Sequence, residues 1–357
     1  MGKPRLRDLG ISLGQMPPGP LNAITDVAGV TVGSATLIRD EPHVVRTGVT
    51  AIWPTANAYT DLCFAGYHSF NGNGEMTGTI WLAEQGLLTS PICITNTHAV
   101  GVVRDAICHD AKKRGIDESW LLPVAAETHD GWLSDAYSFP VTTELALEAL
   151  ENAKGGLPQE GNVGGGTGMI THEFKGGTGT ASRVVKGETG SWTVGALVQS
   201  NYGSRALLRC GNAPVGLELG TDKIKGAYWD PEPGSGSIIV ILATDAPLLP
   251  IQCQRLARRA TTGLAWCGGF GSNGSGDIFL AFSTGNKVPL RSKMTDVRML
   301  GIDECTPLFQ AAAEATEEAI WNALVAAETM TGFKGRTAHA IPHDRLKEIF
   351  AKYRGPK

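Results

Sequence analysis

What this chain lacks narrows it first. Its apolar runs are short, Ile238 to Ala243 being typical, and fall well below the roughly 20 residues that carry a helix across a bilayer. No membrane partner is expected. The N-terminus, MGKPRLRDLGISLG, has basic residues but neither an apolar core of signal-peptide length nor a small-residue cleavage site, which predicts a cytoplasmic protein. Lys and Arg are scattered and the net charge is -4, so there is no electrostatic footprint for nucleic acid. Seven cysteines form no C-x-x-C pair and leave one over in any disulfide scheme, which fits reduced thiols packed as small hydrophobes.

The familiar chemical motifs are missing too. No G-x-x-x-x-G-K-[ST] occurs, and FKGGTGTASR carries its Lys before the glycines, so a phosphate loop is not expected. NVGGGTGM lacks the G-x-G-x-x-G spacing of a dinucleotide site. No H-E-x-x-H appears, and the pairs His339/His343 and His98/His109 have no carboxylates arranged around them, so neither a metal nor a cofactor is expected. His339 and His343, in AHAIPHDRL, suit a capping role at the last helix. The absence of G-x-S-x-G argues against an α/β-hydrolase.

Glycine, by contrast, is abundant, at 46 of 357 residues. The glycines recur at turns and strand ends, as in NGNGEMTG, NVGGGTGM and GGFGSNGSGD, which implies many strands and backbone packed closely at a site. β-rich apolar runs at 29–37, 48–53, 90–94, 192–198, 237–244 and 278–283 predict strands, several of them apolar on both faces. Helical patterns cover 101–114, 142–153, 248–266 and the Ala/Glu-rich segment 307–330. Strands joined partly by helices, with hydrophobic residues at 42% of the chain, favour sheets covered by helices in a single domain spanning 1–357.

One serine stands out. Ser237 opens the apolar run IIVILATD after the turn PEPGSG, and its predecessor, Gly236, has no Cβ to block approach of the hydroxyl to the Gly236 carbonyl. Attack there would give an N-to-O acyl shift. Hydrolysis would then leave Ser237 as a new N-terminus with an α-amine of pKa about 7.7–8.0, able to act as base near neutral pH. An ordinary Gly/Ser turn before a strand is the competing reading of these few residues.

The surrounding blocks decide between them. PPGPLNAITDVAGVTVGSATL, NTHAVGVVRDAI, PVAAETHDGWLSD, NVGGGTGM, FKGGTGTASR, GALVQSNYG, GSIIVILATDAPLLP, NGSGDIFLAFST and AAETMTGFKGRTAHAIPHDRL resemble, in order, the blocks of the DmpA-type aminopeptidases, which include the L-aminopeptidase/D-amino-acid esterases and the β-peptidyl aminopeptidases. The resemblance implies an α+β fold, a four-layer αββα sandwich related to ornithine acetyltransferase and similar to N-terminal-nucleophile hydrolases. It also implies a precursor cut once, into 1–236 and 237–357, whose halves stay together in a homo-oligomer, commonly a tetramer of processed heterodimers. The partner would be a small peptide, amide or ester with a free amine.

Residue by residue, the resemblance implies Ser237 as nucleophile and Gly236–Ser237 as the bond cut. Ser275 and Asp277 match the pair that orients the nucleophile, and Asn201 matches the oxyanion-hole amide. Glu127 matches the acid that holds the substrate ammonium. Of the other substrate-binding candidates, His129 falls where relatives vary, which argues against a side-chain role but leaves its backbone N–H to serve the oxyanion, and Trp132 is either a pocket wall or a core tryptophan. The alternatives are an ornithine-acetyltransferase-like acyltransferase, whose nucleophile would be Thr, and a non-cleaving paralogue that binds small molecules. Whether an L-α-, D-α- or β-amino acid is preferred is not readable from these residues.

Overall fold

The computed structural model describes residues 3–116, 120–227 and 236–354. Pro233, Gly234 and Ser235 of the expected cleavage turn lie outside them, as do the last residues of the C-terminal RGPK. Two sheets carry the architecture. The first is four-stranded, made of β1 (Thr31–Arg39), β2 (Val45–Trp53), β5 (Ile92–Asn96) and β6 (Val124–Thr128), in the order β1-β2-β5-β6. The second has six strands, adding β3 (Asp61–Gly72), β4 (Leu87–Leu88), β9 (Gly177–Gly187), β10 (Gly190–Asn201), β11 (Gly236–Thr244) and β12 (Ser275–Pro289), in the order β4-β3-β12-β11-β10-β9. A short hairpin, β7 (Ile170–Thr171) with β8 (Phe174–Lys175), leads into β9.

Side-chain alternation along the strands builds the layers. On β11, Ile239, Ile241 and Ala243 face Ile52, Ile92 and Ile94 of the other sheet. Ile238, Val240 and Leu242 face the opposite way, into a core shared with Leu308, Ala315 and Trp321. Those last residues belong to α7 (Cys305–Val325), which covers this sheet with α5 (Pro250–Ala257) and α6 (Ala260–Trp266). Beyond the four-stranded sheet, α2 (Val100–Lys113) and α3 (Thr143–Glu151) bury Val103, Ile107, Ala146 and Leu150 against Val49, Ala51 and Cys93. The result is the expected four-layer αββα sandwich. A strand buried on both sides by this stacking must read as an unbroken apolar run, as β11 does.

Two helix expectations need correction. The segment 248–266 is two helices, broken where the Arg259 and Thr262 amides donate to Leu256 O and Arg259 O at 2.9 and 3.0 Å, bonds to the third residue back that tighten the chain. α6 then runs close against α7, where a Cβ on Gly263 would lie 2.4 Å from Ala313 O. The segment 307–330 stops being helical at Val325. Its glutamates also turn inward: Arg183 of β9, fully buried, pairs with Glu314 at 3.1 Å and Glu318 at 2.6 Å. His343 opens the last helix, α8 (His343–Tyr353), but its ring bonds Val325 O at 2.9 Å, at the end of α7.

Candidate active site

The site forms where three neighbouring strands end together. β11 pairs antiparallel with β10, placing Ser237 opposite Asn201. It pairs in parallel with β12, placing Gly236 opposite Ser275, Ser237 opposite Gly276 and Ile238 opposite Asp277. A slip of one residue would turn every one of these side chains to the other face, so the apolar alternation that fixes the core also fixes the site. Gly236 is required by its surroundings. Its φ is +138°, and a Cβ there would lie 2.4 Å from Asn201 O and 2.7 Å from Tyr202 Cα, a conformation and a space that only glycine fits.

Ser237 and Asn201 lie on the strand face that looks into the space between the sheets, in step with Ile239 and Leu197. The Asn201 side chain is held at both ends. Its Oδ1 accepts from the Ile170 amide at 2.8 Å and its Nδ2 donates to His129 O at 3.0 Å. One Nδ2 hydrogen remains unused by these bonds. His129 takes part through its backbone carbonyl, which accepts from Asn201, and not through the N–H expected to serve the oxyanion. Its ring lies over Gly131, where a Cβ would meet Nε2 at 2.4 Å, and stacks edge-on to His98 with centroids 5.8 Å apart. Although its side chain reaches solvent, partial desolvation, then the neighbouring His98, lowers its pKa.

Glu127 reaches the same space from the opposite sheet. Its carboxylate is 3% exposed, accepts from the Glu75 amide at 3.0 Å and from the Thr97 hydroxyl, and pairs with no cation among the described residues. Burial raises its pKa, against the lowering by those two donors. Two glycines bring it close to the nucleophile strand: a Cβ on Gly74 would stand 3.2 Å from Glu127 Oε1 and 3.0 Å from Gly276 Cα, and Gly276 is the register partner of Ser237.

Ser275 and Asp277 meet each other, Ser275 Oγ donating to Asp277 Oδ1 at 2.6 Å. Alternation puts them on the helix-covered face, in step with Phe279 and Ile238, and so behind the strand that carries Ser237. Among the described residues no hydrogen bond joins the Ser237 hydroxyl to either. The pair instead flanks the start of β11 in register, Asp277 opposite Ile238, and burial raises the Asp277 pKa to about 6, against the lowering by the Ser275 hydroxyl. Trp132 packs into a small apolar cluster with Leu133, Ile170 and Ala227, beneath the loop that supports Asn201.

Several contributors escaped sequence reading. Thr97 and the Glu75 amide hold Glu127. Asn71 and Asn73 bond the carbonyls of the 273–275 turn. The visible signal was the glycine-rich NGNGEM itself, whose close packing brings them there.

A strand-end serine and a facing amide on an αββα sandwich define the architecture of N-terminal-nucleophile hydrolases. The chain belongs to peptidase family S58, whose family model matches residues 22–338. It is 49% identical to a β-peptidyl aminopeptidase of Sphingosinicella microcystinivorans, across 98% of this chain and 93% of that one. A β-aminopeptidase from a Burkholderia species superposes with a TM-score of 0.92 at 48% identity, covering 99% of this chain and 100% of the other. The L-aminopeptidase D-Ala-esterase/amidase of Ochrobactrum anthropi, described as a prototype serine aminopeptidase and a variant of the Ntn hydrolase fold, gives 0.91 at 45% identity over 98% and 99% of the two chains. Neither an acetyltransferase nor a non-cleaving binder is favoured by these relatives.

Proposed function

We propose that this chain is an aminopeptidase that cuts itself at Gly236–Ser237 and then removes the N-terminal residue, a β-amino acid by preference, from small peptides, amides or esters. The observation that carries this reading is Glu127: a buried carboxylate, hydrogen-bonded but paired with no cation among the described residues, facing the serine strand. A substrate ammonium supplies the missing charge, and an acylated amine leaves the carboxylate unpaired. That is a physical basis for requiring a free N-terminus.

In maturation the Ser237 hydroxyl attacks the Gly236 carbonyl, the C–N bond breaks as the acyl group passes to oxygen, and water hydrolyses the ester. Gly236 becomes a carboxylate terminus and Ser237 an α-amine. That amine takes the proton of its own hydroxyl in the next attack, now on the substrate carbonyl, and returns it to the leaving amine or alcohol. Water then releases the acyl group. Asn201 donates to the oxyanion in each step. The Ser275–Asp277 pair, which flanks the start of β11 in register, serves the new amine from behind the strand. The preference for β-amino acids rests on the names of the relatives at 49% and 48% identity, and the processed pair is proposed to assemble as a homo-oligomer.

Glu127→Gln tests the central observation. It is expected to cut kcat/KM for free-amine substrates by roughly 10²-fold, the scale of about 3 kcal/mol for a charge left without its partner, while Nα-acetylated substrates are turned over poorly by both forms. Equal turnover of acetylated and free substrates by the parent enzyme overturns the clamp. Matched β-homo and α-aminoacyl p-nitroanilides test the preference: a higher kcat/KM on the α compounds reverses it.

Asp277 gives a pH prediction. With its pKa raised to about 6, it loses its charge below that pH and can no longer stabilise the neighbouring amine. The acid limb of kcat/KM, begun by the Ser237 amine, therefore steepens beyond one decade per pH unit as the Asp277 carboxyl, and the Glu127 carboxyl whose pKa burial also raises, take up protons. The fold does not fail with it at this group. A carboxyl whose pKa is higher folded than unfolded binds more protons in the native state between the two values, so its contribution to stability rises as pH falls. A one-proton limb down to pH 5, with circular dichroism unchanged, would sink the assignment.

A further inference from the structure

Lys175, the last residue of β8, is fully buried with no role in the steps above. Its Nζ donates to Met169 O at 2.8 Å, Gly176 O at 2.8 Å and Gly166 O at 3.4 Å. Three carbonyls match the three hydrogens of an ammonium, and no carboxylate joins them among the described residues. Burial lowers its pKa well below the usual lysine value. A methionine would fill similar volume without that desolvation cost, so the cation needs a reason beyond packing.

The reason lies one peptide group away. The Met169 carbonyl, which accepts Lys175, belongs to the same amide as the Ile170 N–H, which donates to Asn201 Oδ1 at 2.8 Å. Asn201 in turn carries its Nδ2 on the far side of its own amide, one hydrogen on His129 O and the other without a partner among the described residues. Cation, peptide and side-chain amide therefore stand in series. Each amide is conjugated, so positive charge at its oxygen draws density from its nitrogen and strengthens the N–H as a donor. The series points its strengthened end into the space beside Ser237.

We propose that Lys175 is a positioning residue for the oxyanion hole: it holds and polarises the Met169–Ile170 peptide, which fixes the flip of Asn201 and strengthens the Nδ2 hydrogen offered to the oxyanion. This rests on the assignment of Asn201 to the oxyanion. A lysine that merely tied down the glycine-rich loop would change stability and leave the chemical step alone, which separates the two roles.

The test is a double-mutant cycle on fully processed protein, with kcat and KM measured per cleaved chain for the parent, K175M, K175Q, N201A and the two doubles. K175M is expected to lower kcat about tenfold with KM within about twofold of the parent, the pattern of an interaction made in the transition state. K175Q keeps N–H donors without the charge and falls between; it carries the test if K175M does not fold. In the N201A background either substitution changes kcat less than about twofold, because the route is already cut. A normal kcat in K175Q, with only the melting temperature lowered, overturns the proposal. So does an equal loss in both backgrounds. If N201A itself leaves kcat intact, the Asn201 assignment fails and takes the proposal with it; a depressed N201A beside a fully active K175M removes Lys175 alone.

Discussion

Ser237→Ala is expected to leave a single intact chain of 357 residues and to lower turnover on the order of 10⁶-fold, the scale seen when a hydrolase nucleophile is deleted. Two losses coincide in it. The hydroxyl that would attack the Gly236 carbonyl is gone, so no α-amine is released, and the hydroxyl that would attack substrate is gone as well. The fold should hardly notice. Ser237 is buried at 5% exposure, is backbone-paired on both sides, and its hydroxyl bonds neither Ser275 nor Asp277. Intact mass and thermal melting of the purified variant check the claim together: one uncut species with a near-parental melting temperature is the expected result. A variant cut at Gly236–Ser237 would mean that another group attacks that carbonyl.

Gly236 shows why the turn must be read with its neighbours. From sequence, its missing Cβ mattered for reach of the serine hydroxyl. The structure adds a positive φ and a 2.4 Å conflict with Asn201 O for any side chain. Both demands fall on one residue because β10 and β11 end together. That junction is a property of register, which no local pattern states.

Much of the fold was legible for a related reason. Strands buried on both faces, such as β11, write themselves as apolar runs, and α7 as a long Ala-rich helix. β3, β6 and β9 did not. β9 reads GTGTASRVVKG and β6 VAAET; small and polar residues fit where α7 or the facing sheet approaches closely, and a Cβ on Gly179 would lie 2.1 Å from Ala319 O. Strand character there comes from what packs on it and not from propensity.

The site was legible as a set of residues, less so as an arrangement. The S-x-D spacing of Ser275 and Asp277 says that they share a strand face. Which face they share depends on the register with β11, and it proves to be the one turned away from Ser237. Lys175 entered the sequence reading only as the lysine that precedes the glycines of FKGG, because nothing there indicates that the chain folds back over the ammonium. Glu127 was named by resemblance alone, and that two neutral donors, Thr97 and the Glu75 amide, hold it with no cation among the described residues became evident only in the structure.

Asn201→Ala should lower kcat by roughly 10²–10³, or about 2.7–4 kcal/mol, with KM little changed, as when a single oxyanion donor is removed. The geometry makes the substitution specific. Asn201 is clamped by Ile170 and His129, so alanine removes the donor and also leaves the Ile170 amide without its acceptor, which costs stability in the range of about 1–3 kcal/mol. Asn201→Asp keeps an oxygen for Ile170 but turns its other oxygen, now a charged acceptor, on His129 O and the oxyanion, so it should turn over substrate no faster than the alanine variant. Self-cleavage passes through a similar tetrahedral oxyanion at Gly236, so maturation slows in both. Rates must therefore be taken per cleaved chain, or incomplete processing would pass for a defect in catalysis. A variant that matures normally and shows a raised KM at unchanged kcat would place Asn201 among the groups that bind substrate and transition state alike.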